Sequence, residues 1–180
     1  MEVSARVHAL AAAIELAIFD VDGVLTDGGL VLGPNGQEFK TFHVRDGLGL
    51  VMLRENGVLL AIITGRESSV VTERMAQLGI EHVFQGQSNK LQTLETLLGD
   101  LNIDPSRVCY VGDDLPDLPV MMQVGLPIAV ADAHRKLIEH AIWTTGSNGG
   151  AGAVREVCEM ILGAQGKLDA ALARFEDPKQ

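Results

Sequence analysis

Short, strongly apolar runs alternate with segments of helical periodicity along almost the whole chain, and that alternation restricts the fold more than any single residue does. Glu15–Asp20, Val58–Thr64, His82–Gln85, Val108–Val111 and Pro127–Val130 read as buried strands, with Ala141–Thr144 as a candidate sixth. Between them, Gly49–Asn56 reads as a helix stopped by Gly57. Ser68–Leu78 places Val71, Met75 and Leu78 on one face and ends at Gly79. Lys90–Leu98 carries Leu91, Leu94 and Leu98 at helical spacing. Asp104-Pro105 reads as a cap followed by a first-turn proline. Strands alternating with helices predict a parallel sheet covered on both faces. Right-handed crossovers then bring the C-terminal ends of all the strands to one edge, where such folds bind ligands.

One stretch departs from the alternation. Gly29–His43 contains a Pro34-Asn35-Gly36 turn between two extended runs, which predicts a β-hairpin directly after the first strand, standing above the ligand-binding edge. At the other end, Gly163–Gln180 offers a short amphipathic piece (Leu168, Ala171, Leu172, Phe175) and then a charged, proline-containing tail, expected to be partly disordered.

The chain has 180 residues, which suits one domain, and its 47% hydrophobic content is enough to bury a sizeable core. With 14 Lys and Arg against 24 Asp and Glu, the net charge is −10, which argues against a nucleic-acid partner or an anionic membrane surface. An anionic small molecule remains possible if the few cations, or a metal, are concentrated at its site. The two cysteines form neither a disulfide framework nor a zinc cluster, and Cys109 in its apolar run reads as a buried small hydrophobe. His8, His82, His134 and His140 have no metal-ligand spacing. No apolar run reaches the ~18 residues of a membrane span, and the N-terminus lacks the order of a signal peptide, so a cytoplasmic location is expected.

The candidate chemistry lies at strand ends. Strand one runs into Phe19-Asp20-Val21-Asp22-Gly23-Val24-Leu25-Thr26. Two acids beside a buried run are costly unless a cation or a reaction uses them. Strand two ends Ile63-Thr64-Gly65-Arg66. Lys90 opens the helix after strand three, and strand four ends Val111-Gly112-Asp113-Asp114-Leu115-Pro116-Asp117. A carboxylate pair, a hydroxyl, a lysine and a second acidic cluster on one edge suit phosphoryl transfer through an aspartyl-phosphate. One carboxylate attacks phosphorus and another protonates the leaving oxygen, while Thr64 and Lys90 hold phosphoryl oxygens. Mg²⁺ offsets the repulsion between carboxylate and phosphate.

In order and spacing, DVDGVLTDG, ITGR, Lys90 and GDDLPD resemble the four motifs of the haloacid dehalogenase superfamily, over about Leu16 to Leu162. The resemblance implies an α/β fold: a Rossmann-like three-layer sandwich with a mostly parallel sheet and a β-hairpin flap at about 28–43. It also implies one hydrolase domain over 1–162 and a tail over 163–180. It makes Asp20 the nucleophile and Asp22 the general acid/base, whose main-chain carbonyl also ligates Mg²⁺. Asp113 becomes the acidic metal ligand, with Asp114 and Asp117 as supporting acids.

Within the superfamily, Asp27-Gly28, Lys40, Phe42–Gly47, Arg66, Arg74 and Gly149–Glu156 resemble the 3-deoxy-D-manno-octulosonate 8-phosphate phosphatase family. That resemblance implies a Mg²⁺-dependent phosphatase of a sugar-acid phosphate, serving the inner core of lipopolysaccharide. It implies a homotetramer without a cap domain, whose hairpins meet at the centre. The chain has His43 where the family often has Asn. The substrate-binding set carried over is Asp22, Lys40, His43, Arg45, Asp46, Gly47, Gly65, Arg66, Arg74 and Lys90. Arg45, Arg66 and Arg74 are the candidates for the substrate carboxylate, because arginine binds carboxylates bidentately. The spacing separately predicts a capless enzyme, since no gap between the motifs has room for a second domain.

Three other readings compete. A signalling receiver domain also combines acids, Thr or Ser and Lys on a parallel sheet, but its phosphoacceptor ends a middle strand, away from the first acidic pair. A non-catalytic oligomerisation module would tolerate loss of the motif residues, which are all intact here. The third keeps the chemistry and acts on another sugar-acid or nonulosonate phosphate.

Overall fold

The computed structural model describes residues 3–176. Helix α1 (Ala5–Ala12) precedes β1 (Leu16–Phe19), and the hairpin β2 (Val31–Leu32) and β3 (Glu38–Phe39) follows. The chain continues through α2 (Val44–Glu55), β4 (Leu59–Ile63), α3 (Ser69–Leu78), β5 (His82–Phe84) and α4 (Lys90–Leu101). It then forms β6 (Val108–Gly112), α5 (Leu118–Met121), β7 (Leu126–Ala129), α6 (Arg135–His140) and β8 (Trp143–Thr144). Helices α7 (Ala153–Ala164) and α8 (Leu168–Ala173) close it. The main sheet has six strands in the order β5-β4-β1-β6-β7-β8, every neighbouring pair parallel.

The chain walks outward from β1 through β4 to β5, then returns to β6 on the other side of β1 and walks outward again. Right-handed crossovers in the two directions put α2 and α3 on one face and α4, α5 and α6 on the other. Helix α7 packs against both α1 and α2 on the first face, while α5 packs against both α4 and α6. The reversal lies between β1 and β6, the place where open α/β sheets bind ligands. Phe19 is in register with both Ile62 and Val111, so the three central strands end level. All of β1 is buried, which is why a strand covered on both faces reads as one continuous apolar run.

The six strands fall where the apolar runs predict them. The hairpin also forms, but its strands are only two residues each, joined by a tight turn over Pro34–Gly36 with Asn35 in the left-handed region (φ 63°). Leu30, Val31, Leu32 and Phe39 are exposed on it. Helix α2 begins at Val44 rather than Gly49. Gly47 and Gly49 weaken its helix propensity but sit under close neighbours: a Cβ at Gly47 would displace the end of the Arg74 side chain, and one at Gly49 would lie 3.2 Å from the Arg155 Cα. Of the Met121-Met122 pair only Met121 packs inward, while Met122 is exposed. Helix α7 runs to Ala164, past the domain boundary expected at 162, and α8 buries Ala171 against the core. The charged end of the tail, 177–180, lies outside the described residues. Both cysteines are buried and free, as expected of Cys109.

Candidate active site

Asp20 lies one residue past β1, buried, with its main-chain N–H on the Val111 carbonyl (3.1 Å). Its Oδ1 accepts from the Val21 N–H (2.7 Å). The chain then turns sharply: the N–H groups of Val24, Leu25 and Thr26 all donate to the Val21 carbonyl. Gly23 holds φ +88°, and a side chain there would collide with the Asp113 carboxylate. The turn therefore lets the residue after Asp22 pass directly against Asp113, across the β1/β6 reversal.

Lys90 is the buried cation of the site. It opens α4, and its Nζ lies 2.9 Å from Asp20 Oδ2 and 2.7 Å from Asp117 Oδ1. Asp117 is the most heavily bonded acid. Oδ1 also accepts from the Tyr110 hydroxyl (2.6 Å), and Oδ2 accepts from the main-chain N–H groups of Asp113 (3.0 Å) and Asp114 (3.3 Å). Four donors fill the roughly four lone-pair positions of a carboxylate. Thr64 is buried one residue past β4, fixed through its backbone to Phe84 and Gln87.

The hairpin reaches down to this edge. Lys40 is ion-paired with Asp22 and lies 3.5 Å from Glu38. Arg66 spans the same two acids, at 3.1 Å from Glu38 and 3.8 Å from Asp22. Asp20, Asp22, Thr64, Gly65, Arg66, Lys90, Asp113, Asp114 and Asp117 line one cleft of about 330 Å³. Clefts of about 380 and 410 Å³ elsewhere are larger, but the first has no charged side chain and the second no cation.

The protein atoms alone leave this cleft short of positive charge. Burial, reinforced by the neighbouring Asp117, pushes the Asp20 carboxyl up to about 6 despite Lys90. Burial, Asp117 and Asp20 push Asp113 to about 7. Oxygens of Asp20, Asp113 and Asp117 lie within 4.8 Å of one another, close enough to share a cation. Asp117 has no lone pair to spare, so the two carboxyls in want of charge are Asp20 and Asp113. Such an oxygen-only donor set fits a hard divalent ion such as Mg²⁺.

Five of the expected substrate-binding residues lie away from the cleft. His43, Asp46, Gly47 and Arg74 line a separate, nearly closed space with Phe42 and Leu25, and Arg45 is exposed on α2. Asp46 is buried and turned to α7, accepting from the N–H groups of Gly152 (3.3 Å) and Arg155 (2.8 Å). Arg74 donates to Gln77. Tyr110 and Glu38 were not expected at the site. The signal for Tyr110 was available, since the chain's one tyrosine interrupts an apolar run two residues before Gly112.

A capless α/β sheet with a buried aspartate at the end of its first strand, a lysine bridging it to a second acidic cluster and a threonine beside them defines a haloacid dehalogenase-like phosphatase. The family model of the haloacid dehalogenase-like hydrolases matches residues 79–157. The chain is 56% identical to the 3-deoxy-D-manno-octulosonate 8-phosphate phosphatase of Escherichia coli over 169 residues, 94% of this chain and 90% of that protein. It superimposes on the crystal structure of the phosphatase of that name from Yersinia pestis with a TM-score of 0.92 and 50% identity, covering 93% of this chain and 90% of the other. The Moraxella catarrhalis enzyme, solved with magnesium, phosphate and KDO, gives a TM-score of 0.92 and 45% identity, covering 94% and 97%. The chain belongs to the 3-deoxy-D-manno-octulosonate 8-phosphate phosphatase family.

Proposed function

We propose that this protein hydrolyses 3-deoxy-D-manno-octulosonate 8-phosphate to the free sugar acid and phosphate, with Mg²⁺, in the assembly of the lipopolysaccharide inner core. The observation that carries the chemistry is the Asp20–Lys90–Asp117 chain at the β1/β6 reversal, which fixes a buried carboxylate beside a cation.

Asp20 attacks phosphorus and forms an aspartyl-phosphate as the sugar oxygen leaves. Asp22 gives that oxygen a proton, then takes one from the water that hydrolyses the acyl phosphate. Thr64 and Lys90 hold phosphoryl oxygens, and Lys90 neutralises charge that develops on them. The Asp20 and Asp113 carboxylates and the Asp22 main-chain carbonyl would hold Mg²⁺, which supplies further neutralisation of the phosphoryl group. Asp117 and Asp114 support this set: Asp117 orients Lys90, and Asp114 caps the turn that carries Asp117. Gly65 and Arg66 lie on the cleft wall, and Arg66 is the cation best placed for the substrate carboxylate.

The open cleft and the exposed apolar side chains of the hairpin support assembly as a homotetramer, with the hairpins packed at its centre. In that assembly Lys40, His43, Arg45, Asp46, Gly47 and Arg74 shape the outer part of the site, Asp46 by holding α7. One continuous core from Val7 to Leu162 supports a single hydrolase domain over 1–162, with α8 docked on it. Among the described residues no helix is long and apolar enough to cross a membrane, which supports a cytoplasmic enzyme.

The test is phosphate release with Mg²⁺ from the octulosonate phosphate and a panel of sugar phosphates, with Asp20→Asn as control. Strong preference for the octulosonate, abolished in the variant, is expected. Activity spread evenly over the panel would discard the substrate, and a folded protein inactive on every compound would discard the reaction.

A further inference from the structure

The glycine run Gly146–Gly152 plays no part in the chemistry above, yet it lies directly against the loop that follows the nucleophile. A Cβ on Gly149 would run into the Gly23 carbonyl, and one on Gly150 into the Thr26–Asp27 peptide. The Gly150 N–H donates to the Val24 carbonyl (2.9 Å). What holds Gly149 in this position is Asp132, in the loop after β7, whose Oδ1 accepts from the Gly149 N–H (2.9 Å). Two residues further on, the His134 N–H donates to the main-chain carbonyl of Asp113 (2.7 Å).

These contacts close a ring. Asp132 fixes Gly149, and Gly149 abuts the Gly23 carbonyl. Gly23 faces the Asp113 carboxylate, and the backbone of Asp113 is tied back to the loop that carries Asp132. Asp132 itself is exposed and makes no ion pair among the described residues. Its acceptor oxygen is its structural contribution, at an edge where another negative charge brings no evident benefit.

We infer that Asp132 is a positioning residue: through Gly149 and Gly23 it sets the Asp113 carboxylate and the Asp22–Gly23 peptide relative to Asp20. The inference rests on the proposed site, since these are the groups assigned to Mg²⁺ and to proton transfer. Such outer supports typically govern metal affinity or turnover by ten- to a hundredfold. Asp132 acts through backbone packing rather than a direct bond to a metal ligand, so the lower end applies.

The test uses the full chain and three variants. Mg²⁺ affinity is measured by titration calorimetry without substrate, alongside kcat, KM and Tm. Asp132→Ala is expected to weaken Mg²⁺ binding about tenfold and to lower kcat by a similar factor, with KM within about twofold. Asp132→Asn keeps the Oδ1 acceptor and is expected to restore both. Gly149→Ala approaches the ring from the other side and is expected to weaken Mg²⁺ binding even where the protein stays folded. Wild-type Mg²⁺ affinity in Asp132→Ala or Gly149→Ala overturns the inference. So does an Asp132→Asn protein as impaired as the alanine variant, because charge and not the acceptor would then be at work. A loss confined to Tm, with Mg²⁺ affinity and kcat intact, overturns it in favour of plain loop stability. The calorimetric arm needs no turnover, so failure of the proposed reaction would be seen separately, in a wild-type protein that binds Mg²⁺ and releases no phosphate.

Discussion

Metal-free protein is expected to lose stability as pH rises through neutrality, and Mg²⁺ is expected to restore it. The carboxyl of Asp20 is raised from its ordinary 3.8 to about 6, first by burial and then by Asp117, with Lys90 opposing. A carboxyl with a raised folded-state pKa binds its proton more tightly in the native protein than in the unfolded chain. Its contribution to stability is therefore complete below about pH 4 and is lost as pH climbs through 6. A shift of about two units at ~1.4 kcal/mol each amounts to about 3 kcal/mol. Asp113, raised to about 7, extends the same trend upward, although the two acids interact and their effects do not add. At ~2–4 °C per kcal/mol for a protein of this size, Tm in EDTA should fall on the order of 8 °C between pH 4.5 and 8. With saturating Mg²⁺ the ionised carboxylates meet a cation, and most of the fall should vanish. Calorimetric unfolding across that range, with and without metal, reads both arms. Asp20→Asn is the necessary control, because Asp46, also raised by burial, and the overall acidity of the chain act in the same direction. A metal-free Tm that stays flat or rises over this range would refute the reasoning, as would an identical slope in Asp20→Asn.

Three further substitutions separate roles at and around the cleft. Tyr110→Phe removes one of the two donors to Asp117 Oδ1, a bond to a charged acceptor worth about 1.5–3 kcal/mol. Tm should drop by about 5 °C, with a several-fold fall in kcat as Lys90 is drawn toward Asp117; unchanged values in both assays would deny Tyr110 this role. Asp46→Ala strips two N–H groups at the start of α7 of their acceptor and should cost about 2 kcal/mol by chemical denaturation. A rise in KM with stability untouched would instead return Asp46 to direct substrate contact. Arg66→Ala should impair hydrolysis of the sugar-acid phosphate much more than that of a small aryl phosphate, and equal losses in kcat/KM on the two substrates would remove Arg66 from specificity.

The strands and the reacting groups were legible for one physical reason. Parallel strands buried on both faces must be continuous apolar runs, so a charged or hydroxyl residue at the end of such a run marks the edge of the sheet. Asp20, Thr64 and Asp113 each stand one residue beyond β1, β4 and β6, and topology alone then makes them neighbours. Residues whose partners lie far along the chain were not legible. Asp46 meets Gly152 across 106 positions, and no local pattern distinguishes a carboxylate turned to a helix start from one turned to a substrate. The start of α2 was hidden because Gly47 and Gly49, poor helix formers, break the helical pattern there, while their close neighbours Arg74 and Arg155 lie far along the chain. Tyr110 left a signal, as the one tyrosine in the apolar run that identified β6, but nothing within that run names its partner Asp117.

The charge arrangement of the cleft carries a consequence for the order of binding. Lys40, Arg66 and Lys90 each already face two carboxylates: Asp22 and Glu38 for the first two, Asp20 and Asp117 for the third. Asp113 and Asp114 add two acids on the cleft wall with no cation within ion-pair distance among the described residues. Three cations thus stand against six carboxylates, so at pH 8 the metal-free cleft repels a phosphate dianion. One unit-charge pair at ~5 Å and an effective dielectric of 20 is worth about 3 kcal/mol, more than a hundredfold in affinity. Inorganic phosphate should therefore bind measurably by calorimetry with Mg²⁺ present and fall below detection in EDTA. Asp113→Asn should invert part of this: with one negative charge gone, metal-free phosphate binding improves while the Mg²⁺-dependent gain is lost. Equal phosphate affinity with and without Mg²⁺ in the wild type would mean that Lys90 and Arg66 suffice, and that the acids around them are too well solvated to count.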